Sequence, residues 1–168
     1  MTEPRWLNPE ERRAWLALLS ITTLLPAALD TQLQNAGKLS LFDYNVLAML
    51  SEAEGRFLPM SELAARTSAS LSRLSHVVTK LQKRGWVERQ AHPRDARVTV
   101  AHLTEVGWQT IVSLAPGHVE SVRDLMMDAM TPDDVNNLAR IGEKIVARLD
   151  GDHWILREGQ ASRARPAN

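Results

Sequence analysis

The spacing of apolar residues predicts a chain built mostly from helices. A long helix is expected over residues 8–36, with Asn8 as its N-cap and Gly37 closing it. This helix carries apolar residues on more than one face, which is more than a single chain can easily cover. Pro26 lies inside it and is expected to kink or break it.

Three shorter helices are predicted next. The first covers residues 41–54, the second residues 60–66, and the third begins at the N-cap Ser70, runs to residue 84 and stops at Gly85. A tight polar turn over residues 67–69 joins the last two. Two short helices joined by a three- or four-residue turn predict a helix-turn-helix.

The last of these helices is strongly two-sided. One stripe is apolar and is expected to face the core: Leu71, Leu74, Val77, Val78 and Leu81. The opposite stripe consists of small hydroxyls and bases, and it contains no acid: Ser72, Ser75, His76, Thr79, Lys80 and Lys83, with Arg73 at its edge.

A β-hairpin is predicted after this helix. Residues 86–89 and 98–103 are rich in β-forming side chains, and residues 93–97 between them form a turn that exposes Arg94 and Arg97. Asp95 is expected to form an Asx-type turn and to orient Arg97. A hairpin in this place predicts the wing of a winged helix-turn-helix.

Helices resume after the hairpin. Thr104 is expected to cap a helical region over residues 105–129, with a kink or break at Pro116-Gly117. Thr131 opens a further helix that runs to about Leu149. Residues 157–168 have no apolar period and are predicted to be a disordered tail.

The formal net charge is zero, but the charge is segregated. Residues 56–97 contain nine bases and three acids, whereas residues 98–156 contain four bases and nine acids. A basic segment of +6 that coincides with the helix-turn-helix predicts a polyanionic partner for this part of the chain.

The composition excludes several classes of function. The chain has no cysteine, so disulfides, thiolate metal sites and cysteine nucleophiles are absent. It has no Gly-rich phosphate loop, no nucleophile–base motif and no histidine spacing typical of a metal site, so we expect neither an enzyme nor a cofactor. The apolar run over residues 14–25 follows two arginines, as in a secretory signal, but Thr22 and Thr23 interrupt it, which favours a buried helix of a cytoplasmic protein.

The sequence predicts a DNA-binding surface on the third short helix and the wing. An α-helix fits the major groove, where hydroxyl and guanidinium groups can contact base edges, and arginines of the wing can enter the adjacent minor groove. A solvated helix face is the alternative, but such faces usually alternate glutamate with lysine. The candidate DNA contacts are Ser68, Ser70, Ser72, Arg73, Ser75, His76, Thr79, Lys80, Arg94 and Arg97.

Several of these stretches together resemble the MarR family of winged-helix regulators. The resemblance rests on Leu63-Ala64, on residues 70–85, on the Arg-Gly-Trp-Val-Glu-Arg stretch over 84–89, and on the Asp-x-Arg-(x)5-Leu-Thr string that begins at Asp95. It implies a mainly α fold with a β-hairpin wing. It further implies a winged helix-turn-helix over residues 40–104 and a helical dimerisation region over residues 8–36 and 105–150.

The resemblance also implies how such a protein acts. It implies a homodimer that binds a pseudo-palindromic operator in double-stranded DNA as a transcriptional regulator, with repression expected. A small aromatic or anionic effector is implied as well, and Trp15, Tyr44 and Trp108 are candidates for its pocket, with ordinary core packing as the alternative for each. The competing hypothesis is a winged helix that binds protein and has no specific DNA target.

Overall fold

The computed structural model describes residues 3–157. It has a helical frame with one small sheet: α1 (Pro9–Gly37), α2 (Leu41–Glu52), β1 (Phe57–Pro59), α3 (Met60–Arg66), α4 (Leu71–Lys83), β2 (Val87–His92), β3 (Asp95–Leu103), α5 (Glu105–Leu125) and α6 (Pro132–Leu149). Short 3-10 turns cover Glu54–Arg56 and Met127–Ala129. The mainly α architecture with a small antiparallel sheet agrees with the fold class predicted from the sequence.

Side-chain caps define where most of these helices begin. Asn8, Ser40 and Thr131 each form a capping box, in which the cap side chain accepts from the third helical residue and that residue's carboxylate accepts from the cap. Ser70 and Thr104 cap α4 and α5 through their hydroxyls. The predicted caps of the first helix, the third short helix and the last two helices are therefore present.

One core unites α2, α3, α4 and the sheet. The apolar stripe of α4 is buried at Leu74, Val77, Val78 and Leu81, as the spacing predicts. Leu71 departs from that prediction because it is the first residue of α4, beyond the edge of the core, and it is 56% exposed. The burial of this stripe points the opposite, polar face of α4 outward.

The sheet has three strands, although the sequence indicates only the two of the hairpin. Strand β1 pairs with β3 in the order β1-β3-β2, and both pairs are antiparallel. Three residues ending in proline give no alternating pattern, so β1 lacks a sequence signal. The wing turn is also shorter than predicted, since Asp95 already belongs to β3 and Arg97 lies in the strand, not in the turn.

Of the kink or break predicted at each internal proline, the break does not occur. Helix α1 runs without interruption through Pro26, and α5 runs through Pro116. Both prolines are exposed, so water can solvate the carbonyl that each proline leaves without its amide partner. Helix α5 instead ends at Leu125, where Met126 leaves the helical region, and this places the end four residues before the predicted residue 129.

Helices α1 and α6 leave large apolar surfaces uncovered. In α1 only Leu29 and Leu33 are buried, while Trp15, Leu18 and Ile21 are between 40% and 51% exposed. No residue of α6 is buried among the described residues. By length and composition alone α1 could also cross a membrane.

A short segment follows α6 and returns to the helix-turn-helix. Residues 154–157 form one helical turn, so Arg157 is ordered in a helix and does not belong to a tail. The rest of the predicted tail, residues 158–168, lies outside the described residues.

Candidate nucleic-acid interface

The turn before α4 presents two of the predicted phosphate contacts. Ser68 adopts a left-handed backbone conformation with φ of 50°, and its side chain is exposed. The Ser70 hydroxyl accepts a hydrogen bond from the Arg73 amide at 3.2 Å. The Ser70 oxygen is therefore engaged in capping α4, and its hydroxyl proton remains to be donated outward.

Arg73 is held in place by a ring of the core. Its guanidinium carbon lies 4.1 Å from the centroid of the Phe42 ring. Stacking on a ring uses the face of the guanidinium and leaves its N–H edge free. Ser72 and His76, which flank Arg73 on the outer side of α4, are both exposed.

Arg89, which the sequence does not single out, lies beneath the centre of this surface. Its guanidinium reaches from β2 to the carbonyl oxygen of Ser75 at 2.8 Å and to the hydroxyls of Ser75 and Thr79, each at 3.1 Å. It also donates to the side chain of Gln82. Two of the hydroxyls predicted to contact bases, those of Ser75 and Thr79, thus accept from Arg89, and the Thr79 hydroxyl proton is donated to the Ser75 carbonyl at 2.9 Å.

Lys80 forms an ion pair with a buried carboxylate instead of pointing freely outward. Its Nζ lies 2.5 Å from Oδ2 of Asp43, a carboxylate that is 1% exposed. The same oxygen accepts from the Ser40 amide at 2.9 Å. Burial raises the pKa of Asp43, but the hydrogen bonds from Lys80 and Ser40 and the charge of Lys80 outweigh this and lower it overall. Lys80 therefore has a structural partner that its position in the polar stripe does not reveal.

The wing exposes both predicted arginines. Asp95 accepts from the backbone amide and from Nε of Arg97, each at 3.1 Å, and these hydrogen bonds lower the pKa of Asp95. The Arg97 side chain remains 92% exposed. The Arg94 amide donates to Nδ1 of His92 at 3.1 Å, which closes the tip of the hairpin.

The three candidate pocket aromatics lie in different surroundings. Tyr44 is buried, with its ring 4.2 Å from that of His118. Trp108 lies under the guanidinium of Arg56 at 3.9 Å, and Trp15 is half exposed on α1. A surface cavity of about 1140 Å³ lies between α3 and the segment after α6, and none of the three aromatic residues lines it.

Comparison with known proteins places this geometry in a family. A sequence model described as MarR family matches residues 39–98. Sco3205, a MarR family transcriptional regulator from Streptomyces coelicolor solved in complex with DNA, is 39% identical, with a TM-score of 0.84 over 89% of this chain and 94% of that chain. AbsC, a MarR family regulator from the same organism, is also 39% identical, with a TM-score of 0.84 over 89% of this chain and all of AbsC (100%).

A curated relative gives a further match. The transcriptional repressor MprA of Escherichia coli strain K12 is 27% identical over 107 residues, which are 64% of this chain and 60% of MprA. The match thus spans less than two thirds of that repressor. Because the two Streptomyces regulators match nearly end to end, with the same fold and above 30% identity, this chain belongs to the MarR family of transcriptional regulators.

Proposed function

We propose that this protein is a homodimeric repressor that binds a pseudo-palindromic operator, with α4 in the major groove and the wing in the adjacent minor groove. The observation that carries the proposal is the outer face of α4, which is exposed, contains no acid and carries Arg73 stacked on Phe42 with its N–H edge free. The exposed arginines of the wing, Arg94 in its turn and Arg97 in β3, extend this cationic surface. The DNA complex of Sco3205 supports the same use of the fold.

The uncovered apolar helices support the dimer. The exposed apolar residues of α1 and α6 are Trp15, Leu16, Leu18, Leu19, Ile21, Leu24, Val135, Leu138, Ile141, Ile145 and Leu149. Apolar area of this extent is costly in water, and a second copy of the chain would cover it. Two α4 helices would then meet major grooves about one helical turn, roughly 34–36 Å, apart.

A membrane is the competing explanation for α1, since its length and composition would allow a span. The uncharged stretch between Arg13 and Asp30 is 16 residues. At 1.5 Å per residue this is about 24 Å, shorter than the roughly 30 Å of a bilayer core. We therefore assign the protein to the cytoplasm, with α1 in a dimer interface.

Regulation by a small aromatic or anionic effector completes the proposal. Tyr44 of α2 lies against His118 of α5, so a ligand bound at this contact would touch both the helix-turn-helix and the dimerisation helices. A ligand that binds one relative orientation of the helix-turn-helix and the dimerisation helices more tightly increases the population of that orientation. If that orientation does not fit the operator, the protein releases the DNA. Action by binding, without catalysis, is part of the same proposal.

The experiment that tests the function is a DNA titration by the purified protein. The DNA is a fragment selected from a random pool, and affinity is measured at two salt concentrations beside an unrelated fragment. The proposal expects a complex that resists competitor DNA and weakens as salt rises. Absence of competitor-resistant binding would instead favour a winged helix that binds protein.

Two substitutions test the roles within the interface. Arg73→Ala should cost about 1–3 kcal/mol at one operator position and relax the preference for that base pair. Arg97→Ala should weaken binding to all sequences more evenly, because it acts on the minor groove and phosphates. Equal, sequence-dependent losses in both variants would refute this division.

A further inference from the structure

The segment after α6 contacts the turn of the helix-turn-helix directly. Residues 150–157, here called the clasp, leave the end of α6 and reach α3. The indole Nε1 of Trp154 donates to the carbonyl oxygen of Arg66 at 3.1 Å. Nε2 of His153 lies 3.4 Å from the hydroxyl of Ser68.

The Trp154 hydrogen bond satisfies a backbone group that α3 leaves open. Arg66 is the last residue of α3, and the final carbonyls of a helix have no partner within it. The carbonyls of Leu63, Ala64 and Ala65 accept the backbone amides of the turn, and Trp154 donates to the carbonyl of Arg66. The clasp therefore completes the C-terminal cap of α3 from outside the helix-turn-helix.

The Arg66 side chain adds to this contact. Its guanidinium donates to Glu62 at 2.7 Å, one turn back along α3, and lies 6.0 Å from the centre of the Trp154 ring. The ion pair keeps the long side chain along α3, on the side where the indole lies. Trp154 is thus held by one hydrogen bond, with a long-range cation–π interaction beside it.

The clasp bridges two parts of the fold that otherwise meet elsewhere. The helix-turn-helix is joined to the long helices through contacts of α2 with α1 and with α5. Along α6 itself no described residue is buried, and an open cavity of about 1140 Å³ separates its end from α3. Across that gap the contacts of the clasp form a second connection.

We propose that the clasp fixes the angle between the helix-turn-helix and the dimerisation helices, with Trp154 as the positioning residue. In a dimer this angle sets the separation of the two recognition helices, and so it sets how strictly the spacing of the operator half-sites is selected. When this angle is fixed, less conformational entropy is lost on binding two half-sites at the matching spacing, and binding at any other spacing costs additional free energy. The inference rests on the proposed function, because it needs a dimer that binds two half-sites.

The test compares Trp154→Ala with Ile155→Ala, a matched control in the same helical turn whose side chain is 41% exposed. Affinity is measured for the selected operator, for the operator with one base pair inserted between its half-sites, and for a single half-site. One base pair rotates the second half-site by roughly 35° and moves it by about 3.4 Å. Hydrogen exchange of the turn amides reports the local restraint without DNA.

The wild-type protein and Ile155→Ala should lose about tenfold or more in affinity on the insertion, which corresponds to about 1.4 kcal/mol. Trp154→Ala should lose clearly less affinity when the base pair is inserted, and it should bind the single half-site with wild-type affinity. Hydrogen exchange at the amides of its turn should be faster than in the wild-type protein. If Trp154→Ala does not fold, Trp154→Phe replaces it, since this variant keeps the ring, lacks the N–H donor and should move in the same direction.

An insertion penalty in the Trp154 variants equal to that of wild type would overturn the inference. If the wild-type protein selects no DNA with two half-sites, the proposed function fails instead.

Discussion

The Asp43–Lys80 pair offers a sharp test, because the sequence predicts Lys80 as a DNA contact and the structure gives it a structural partner. The perturbation is Lys80→Met, which keeps most of the aliphatic stem and removes the charge. It would leave Asp43, 1% exposed, with one fewer hydrogen bond and no counter-charge. Oδ1 of Asp43 already has no hydrogen-bond partner among the described residues.

The magnitude follows from the burial of the two partners. Removing one partner from a fully buried pair costs about 3–5 kcal/mol, whereas exposed pairs contribute about 0–1 kcal/mol. The Lys80 side chain is 44% exposed, so water screens part of the attraction and the expected loss is about 2 kcal/mol. For a chain of this size that loss lowers Tm by about 4–8 °C.

The assay is chemical and thermal unfolding at equal protein concentration, with Lys83→Met as the matched control on the exposed end of α4. The pH dependence adds a second readout. In the wild-type protein the lowered pKa of Asp43 contributes stability above pH 3.8, which is lost as pH falls through the folded-state pKa. In Lys80→Met the hydrogen bond and the charge of Lys80 are gone while burial remains, so the pKa of Asp43 rises relative to wild type and the stability gap to wild type should narrow on acidification.

The reasoning would be refuted if Lys80→Met were as stable as Lys83→Met and lost more DNA affinity than Lys83→Met. Lys80 would then act on phosphates, as the sequence alone predicts.

Three further predictions test other parts of the structure. Arg89→Met should weaken specific DNA binding more than nonspecific binding in a titration, because it frees α4 from the wing; equal losses would contradict this. Gly107→Ala should destabilise the fold in denaturant unfolding, since a Cβ there would lie 2.1 Å from the carbonyl oxygen of Trp86. Gly142→Ala is the control, because a Cβ at residue 142 has no atom within 4 Å; it should stabilise α6 by about 0.5–1 kcal/mol. Burial lowers the pKa of His118 below 6.5, so its contribution to stability is present above about pH 6.5 and is lost as pH falls. His118→Gln should therefore make the unfolding free energy depend less steeply on pH in this range. A slope equal to that of the wild-type protein would contradict the assignment.

Local patterns in the sequence predict the elements of the interface well. The four buried positions of α4 and its Ser70 cap follow from helical spacing and cap chemistry, which depend on neighbours within one or two turns. The end of α4 also matches, since Gly85 adopts the positive φ of 72° that favours glycine. Burial of one stripe then fixes which face of α4 points outward.

The contacts that modify this interface join residues distant in sequence. Asp43 lies 37 positions before Lys80, and Arg89 lies 14 positions after Ser75, so no local period reveals either contact. Trp154 and Arg66 are separated by 88 positions. Such pairs depend on how whole elements pack against each other. The local sequence therefore gives no sign of the partners that Lys80, Ser75 and Thr79 have in the structure.

The two internal prolines show the opposite limit. Proline disfavours a helix interior by removing one hydrogen bond and crowding the preceding turn. Pro26 and Pro116 are tolerated because both are exposed in long helices whose remaining bonds are intact. Local propensity therefore predicts a break, but the other hydrogen bonds of these long helices keep each helix continuous through its proline.

Protection mapping of the selected operator, combined with the mass of the complex in solution, tests the central claim most directly. The account predicts two protein chains per operator and two equivalent protected patches about one helical turn apart on the same face of the duplex. It also predicts adjacent minor-groove protection that disappears in Arg97→Ala. A single protected patch bound by one chain, or protection that does not depend on sequence, would contradict it.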